Sequence, residues 1–185
     1  IFLADGFEDV EALATNDVLR RGGVGTRLVS ISDEPFVRSS HGVTIGVDEM
    51  LADIDADHDG TCATDVMIFP GGMPGSTNLA QCGPLIEMMK AHYAAGGSLA
   101  AICAAPGLVL SQLDGLQGLR FTCFEGFQDA LVAKGGEYLT EPAVRCGRIV
   151  TGRSAGHAVS FALEILGLLK DEDTVDSVHH AMYLY

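Results

Sequence analysis

The chain contains no tryptophan, and aromatic residues make up 6% of it. Basic residues are also scarce: 11 Lys and Arg stand against 25 Asp and Glu, giving a formal net charge of −14. No basic stripe with interleaved aromatics is present, which argues against a nucleic-acid or anionic-membrane surface. Cys62, Cys82, Cys103, Cys123 and Cys146 form no CxxC pair, and their odd number argues against a disulfide framework or a zinc site. A cytoplasmic, reducing setting is the natural expectation. The longest apolar stretch, around Leu99 to Leu110, is interrupted by Pro106 and Gly107 and is too short to span a bilayer. No basic leader followed by an apolar segment is visible. Ile1-Phe2-Leu3-Ala4 reads as the tail of a strand with no methionine before it, so the N-terminal strand is expected to be truncated.

What is abundant is apolar residues and glycine, at 48% and 23 residues of 185, which suits one α/β domain spanning residues 1–185 with many tight turns. Apolar strand-like runs alternate with helical patterns. Strands are expected at Ile1–Ala4, Thr26–Ile31, Val66–Pro70, Ser98–Ile102, Leu119–Cys123, Ala143–Cys146 and Arg148–Thr151. Phe36–Arg38 and Val43–Val47 read as a hairpin across Ser39-Ser40-His41-Gly42. Helices are expected at Val10–Arg21, Leu85–Ala95 and Ala158–Leu169, with another starting at Pro106, and a short segment runs from Val175 to Met182. The aspartate-rich stretch Asp48–Asp65 reads mostly as a solvated loop after a helical turn near Met50. This alternation predicts a doubly wound, mostly parallel sheet with helices on both faces.

Working sites in such sheets lie beyond the carboxyl ends of the central strands. Asp5–Glu11, Gly71–Gly75 and Cys103–Pro106 should meet there. In "GGSLAAICAAPGLVL", Cys103 falls at a sharp strand-to-helix turn between small residues, where a nucleophile can be presented; a buried small hydrophobe is the alternative. At a helix start, amides and the macrodipole favour the thiolate, and a thiol pKa of about 5–6 would make it almost wholly ionised. Gly71 and Gly72 in "PGGMPG" offer amides that can approach an oxyanion. Glu8 and Asp9 suit the positive end of a helix. Glu11 has apolar neighbours, and beside a thiolate its pKa would rise, leaving a proton to donate to sulfur. A solvated helical glutamate is the competing reading.

"LADGFEDVEA", "MIFPGGMPGSTNL", "LAAICAAPGLVL" and "TGRSAGHAVSFALEIL" together resemble the DJ-1/ThiJ/PfpI superfamily, on its DJ-1-like side, over nearly the whole chain. The resemblance implies a flavodoxin-like α/β fold, a homodimer, Cys103 as the reactive cysteine, Glu11 as its hydrogen-bonding glutamate and Gly71 and Gly72 on the oxyanion side. Relatives place basic residues around an anion where Arg21 and His41 stand here, the histidine replacing an arginine; His41 equally suits an exposed turn. Two departures stand out. Ala104 follows the cysteine where the protease branch has a histidine, and Phe124 occupies the place of a pocket histidine found in several DJ-1-like proteins. His157, the His179-His180 pair and Arg153 are weaker candidates, and Cys123 suits packing better than a role as resolving thiol.

The resemblance implies a protein of oxidative or carbonyl stress, with glyoxalase or deglycase activity on small α-dicarbonyls or glycated protein groups. Cys103 would attack the aldehyde, Glu11 would shuttle the proton and Ala104, Arg21, His41 and Phe124 would surround the bound group, with no metal or organic cofactor. The alternative is a non-enzymatic redox sensor or chaperone switched by oxidation of Cys103. A PfpI-type peptidase or amidase ranks below both, for want of the adjacent imidazole.

Overall fold

The computed structural model describes residues 1–54 and 65–184. Cys62 and most of the expected aspartate-rich loop lie outside them. In chain order the elements are β1 (Phe2–Leu3), α1 (Asp9–Arg21), β2 (Val29–Ser30), β3 (Phe36–Arg38), β4 (Thr44–Gly46), β5 (Glu49–Met50), β6 (Val66–Phe69), α2 (Gly75–Gln81), α3 (Gly83–Ala94), β7 (Ser98–Ile102) and α4 (Ala105–Leu108). They continue with β8 (Arg120–Phe121), α5 (Asp129–Ala133), β9 (Glu137–Tyr138), β10 (Ala143–Cys146), β11 (Ile149–Gly152), α6 (Ala158–Leu169) and α7 (Glu172–Ala181).

β6, β7 and β11 pair in parallel, with β7 in the middle, and β10 closes that sheet antiparallel to β11. β1, β2 and β5 form a second parallel ladder, and β1 lies against β6. Side chains of the buried central strand β7 alternate between two cores, as a period-two strand requires. Leu99 and Ala101 join Phe69, Leu85 and Met89 of one core, the latter two from α3. Ala100 and Ile102 join Leu19 of α1 and Phe161 and Ile165 of α6 in the other. Helices therefore cover both faces of a mostly parallel layer, the flavodoxin-like arrangement.

Local departures from the sequence expectation have physical causes. The helix starting near Pro106 ends after one turn, and a 3₁₀ turn follows at Leu110–Gln112. There Ser111 Oγ donates back to the Gly107 carbonyl at 2.6 Å, a bond that competes with helical propagation. The turn expected near Met50 is a strand and then a 3₁₀ turn at Leu51–Asp53. α2 is an unforeseen helix, because Gly, Ser, Thr and Asn are weak helix formers; burial of Ser76 and Leu79 holds it. α7 extends the expected C-terminal segment toward the N-terminus, where Asp171 Oδ1 caps it by accepting from Thr174 N–H at 3.0 Å. The β3–β4 hairpin forms as expected.

Candidate active site

Cys103 follows directly on β7 with φ of 66°, a left-handed conformation costing of order 1–3 kcal/mol for a non-glycine residue. Two backbone bonds hold it there. Its N–H donates to the Gly152 carbonyl at 3.0 Å, and its carbonyl accepts from Phe124 N–H at 2.8 Å. The half-buried thiol is thereby presented at the carboxyl end of the sheet, into a cavity of about 320 Å³ shared with Gly72, Ala104, His41 and Phe124.

Glu11 sits one turn into α1 and is 1% exposed. Its position is set from both ends. Glu8, the N-cap, accepts from Glu11 N–H through Oε2 at 2.8 Å, while Gly71 N–H donates to Glu11 Oε2 at 2.7 Å. Glu11 Oε1 is buried without a hydrogen-bond partner, and the carboxyl also hydrogen-bonds the Cys103 thiol. A side chain on Gly71 has no room here: its Cβ would fall 2.5 Å from both Cys103 Cβ and Glu11 Oε2. Gly72 has φ of 92°, which only glycine adopts readily.

Burial raises the Glu11 carboxyl from 4.5 to about 7, with the Glu8 charge adding to it against the bonds from Gly71 and Cys103. Burial, then the charge and hydrogen bond of Glu11, push the Cys103 thiol up to about 12, opposed by the Gly72 and Ala104 amides. The two protons are coupled, and the pair carries one negative charge between those values. This corrects the expected thiol value of about 5–6: a helix of four residues has little dipole to offer, and the sulfur is desolvated. It also revises the role of the glycine pair. The Gly71 amide is spent on Glu11, so the donors left for an oxyanion near sulfur are those of Gly72 and Ala104.

The remaining expected residues divide clearly. His41 reaches the cavity because the hairpin docks on the loop after β1, where Ser40 N–H donates to the Phe7 carbonyl at 2.8 Å. Its ring is 71% exposed, and Nδ1 lies 2.9 Å from Asp9 Oδ2. Hydrogen bonds from Ser39 and His41 outweigh burial and hold Asp9 below its ordinary value. Arg21 is not brought to the site. It lies ten residues along α1 from Glu11, about 15 Å at the helical rise, and pairs with Asp17 at 2.7 Å. Cys123 is buried in the core beside Phe69, desolvated and pushed up to about 12. His157 stands at the N-cap position of α6 with no side-chain capping bond, His179 and His180 are exposed on the last turn of α7, and Arg153 donates to the Thr140 carbonyl.

Sequence reasoning missed Met73 and Phe127, which also line the cavity; a methionine between glycines and a second aromatic three residues after Phe124 were the available signals. It also missed that Glu8, Asp9 and His41 bring potential ligand atoms within 4.8 Å of one another. In this structure those groups are engaged in the helix cap and the His41–Asp9 pair.

A flavodoxin-like sheet with a cysteine at its strand-to-helix turn facing a buried glutamate defines the class of α/β protein. Within it, the chain belongs to the DJ-1/PfpI family, whose model matches residues 1–168. It is 33% identical over 171 residues to the glutathione-independent glyoxalase DJR-1.2 of Caenorhabditis elegans, covering 92% of this chain and 87% of that protein. It is 32% identical to DJ-1 homolog A of Arabidopsis thaliana over 98% of the chain, yet spans 45% of that longer protein. Among solved structures, Drosophila melanogaster DJ-1beta aligns with a TM-score of 0.89 at 30% identity, over 100% of this chain and 96% of that one. Toxoplasma gondii DJ-1 in an oxidised form aligns at 0.88 and 29%, over 100% and 97%. Among the described residues, no helix is long and apolar enough to cross a membrane.

Proposed function

We propose that the protein is a cofactor-independent glyoxalase or deglycase that uses Cys103 on small α-oxoaldehydes or glycated protein groups. The observation that carries this reading is the Glu11 carboxyl, buried, anchored by the Gly71 amide, bonded to the Cys103 thiol and raised to about 7. A carboxyl titrating there is matched to moving protons at neutral pH. The ionised carboxyl takes the thiol proton as sulfur bonds to the aldehyde carbon, and the Gly72 and Ala104 amides hold the alkoxide that forms. Glu11 returns the proton to that oxygen, giving a hemithioacetal. Glu11 removes the C1 proton while the C2 oxygen is protonated, giving an enediol; return of a proton to C2 with loss of the C1 hydroxyl proton then converts the adduct to a thioester of the 2-hydroxy acid. Water then releases the acid and restores the thiol. The named activity of the C. elegans relative supports the reading.

Purified wild type should convert methylglyoxal to lactate without glutathione, and Cys103→Ala should lose at least a hundredfold. Equal turnover by the two would remove the proposal. We further propose that the protein works in the cytoplasm as a homodimer. Cys82, Cys103, Cys123 and Cys146, the cysteines among the described residues, are free, and Val10, Leu13, Phe36 and Val43 expose apolar surface on α1 and around the β3–β4 hairpin.

One observation favours a second reading, a redox sensor: the Gly72 and Ala104 amides and the Glu11 carboxyl converge on sulfur and could hold the oxygens of an oxidised thiol.

A further inference from the structure

We propose that Phe124 sets the substrate preference of the Cys103 cavity: with Met73 and Phe127 it forms an apolar wall that selects electrophiles bearing an apolar or aromatic substituent over anionic ones. The inference rests on Cys103 as the reactive group of the cavity and deepens the function proposed above. Phe124 is 47% and Met73 51% exposed, on a chain with 25 acidic residues. Large apolar side chains gathered on an exposed surface mark a binding site more often than chance, and these surround one thiol.

The wall is preset rather than assembled by the ligand. Phe124 N–H is bonded to the Cys103 carbonyl, which ties the aromatic residue to the nucleophile's own backbone. Phe127 N–H donates to the Phe124 carbonyl at 3.1 Å, and the two rings meet edge to face with centroids 6.4 Å apart. Gly107 of α4 lies directly under the Phe127 backbone, where a Cβ would collide with it. A three-carbon dicarbonyl fills a small part of about 320 Å³, and the rest of that space faces these rings.

Charge points the same way. Glu8 stands at the rim and His41 is turned toward Asp9, so a carboxylate on the substrate meets an acidic edge. The Arg153 guanidinium lies in another cavity of about 320 Å³ with Glu125 and Ser154, and Phe124 lines both cavities. Phe124 is thus the wall shared by the thiol's cavity and the one that holds Arg153.

Three probes with one reactive centre test this without relying on turnover: iodoacetamide, iodoacetanilide and iodoacetate. Their second-order rates on Cys103, read by peptide mass and divided by the rates on glutathione, isolate the cavity's contribution. The anilide should exceed the amide about tenfold, as a favourable apolar fit gives, and the acetate should fall about tenfold below it. Phe124→Ala should bring the anilide within about twofold of the amide and raise the acetate as the wall opens toward Arg153, while Phe124→Leu keeps most of the anilide preference. Thermal melting checks that each variant is folded. In parallel, kcat/KM should rank phenylglyoxal above methylglyoxal above glyoxylate. Labelling preferences without turnover would uphold the wall and remove the glyoxalase reading. Turnover with three equal normalised rates, or preferences unchanged in Phe124→Ala, would overturn the inference.

Discussion

Replacing Glu11 by Gln removes the titratable proton and changes almost no volume, which makes it the sharpest probe of this site. The amide oxygen can take over the bond from Gly71 N–H that Oε2 accepts at 2.7 Å. The amide nitrogen then occupies the place of Oε1, which has no donor to lose. The fold should persist while proton transfer stops, and a positioned acid–base group accounts for about 10²–10⁴ in rate, or about 3–5 kcal/mol of barrier. Methylglyoxal turnover should fall by that factor. In the wild type the rate should decline as pH drops below about 7, because the carboxyl must be ionised to take the thiol proton; the variant should lack that inflection. Stability should move the opposite way. A folded-state value of about 7 against 4.5 means that the folded protein keeps a proton which the unfolded chain has released. The wild type therefore loses stability as pH rises from 4.5 through about 7, by about 3 kcal/mol in all. Gln escapes that loss, so Glu11→Gln should melt several degrees higher at pH 8, with the difference shrinking toward pH 4.5. Unchanged turnover, or a melting difference that does not grow with pH, would refute the reasoning.

Gly71→Ala should be costly, since its Cβ would sit 2.5 Å from Cys103 Cβ and from Glu11 Oε2. Displacing the amide from the carboxylate forfeits about 1.5–3 kcal/mol, read as a lower melting temperature together with at least a tenfold loss of turnover; a variant equal to wild type in both would show that the contact is not needed. Mild peroxide should add two oxygens to the Cys103 peptide, because the ionised Glu11 carboxyl can take the thiol proton and the Gly72 and Ala104 amides can hold the oxygens that form, and Cys103→Ser should abolish the gain. Cys123 faces the opposite core and is fully buried, so a Cys103–Cys123 disulfide in its place would contradict the geometry.

The parts of the fold legible in the sequence are those in which local pattern and tertiary burial agree. Ser98–Ile102 is apolar without interruption because β7 is covered on both faces, and it forms over that range. Ala158–Leu169 keeps a helical stripe against α1, and its bounds too are met. What escaped is held by contacts the sequence does not announce. α2 is built from poor helix formers fixed by the burial of Ser76 and Leu79, and the parallel pair β8–β9 joins strands of two residues each, too short to display a period.

The site divides along the same line. Cys103 and Glu11 were legible because each breaks its local pattern: a thiol at a strand-to-helix turn, and a carboxyl among apolar neighbours in the first turn of α1. Their protonation was not legible, because it depends on where every nearby dipole points. Gly71 reads as an oxyanion donor in the sequence, yet its N–H lies on the carboxylate, whereas Glu8, expected to favour the start of a helix, does so by accepting from Glu11 N–H through Oε2. Within one chain, Arg21 stays away from the pocket for a geometric reason that residue spacing already contained. A helix carrying Glu11 to the pocket at its first turn must carry the eleventh residue of the run about 15 Å away. The cation that the resemblance asked of it is absent from the residues lining the cavity, and the thiol faces Met73, Phe124 and Phe127 instead. On the proposed reading, an apolar wall in place of an anion-holding edge leaves proton transfer through Glu11 intact while changing what can approach the sulfur. Nucleophile and selectivity then rest on different residues, which Cys103→Ala and Phe124→Ala alter separately.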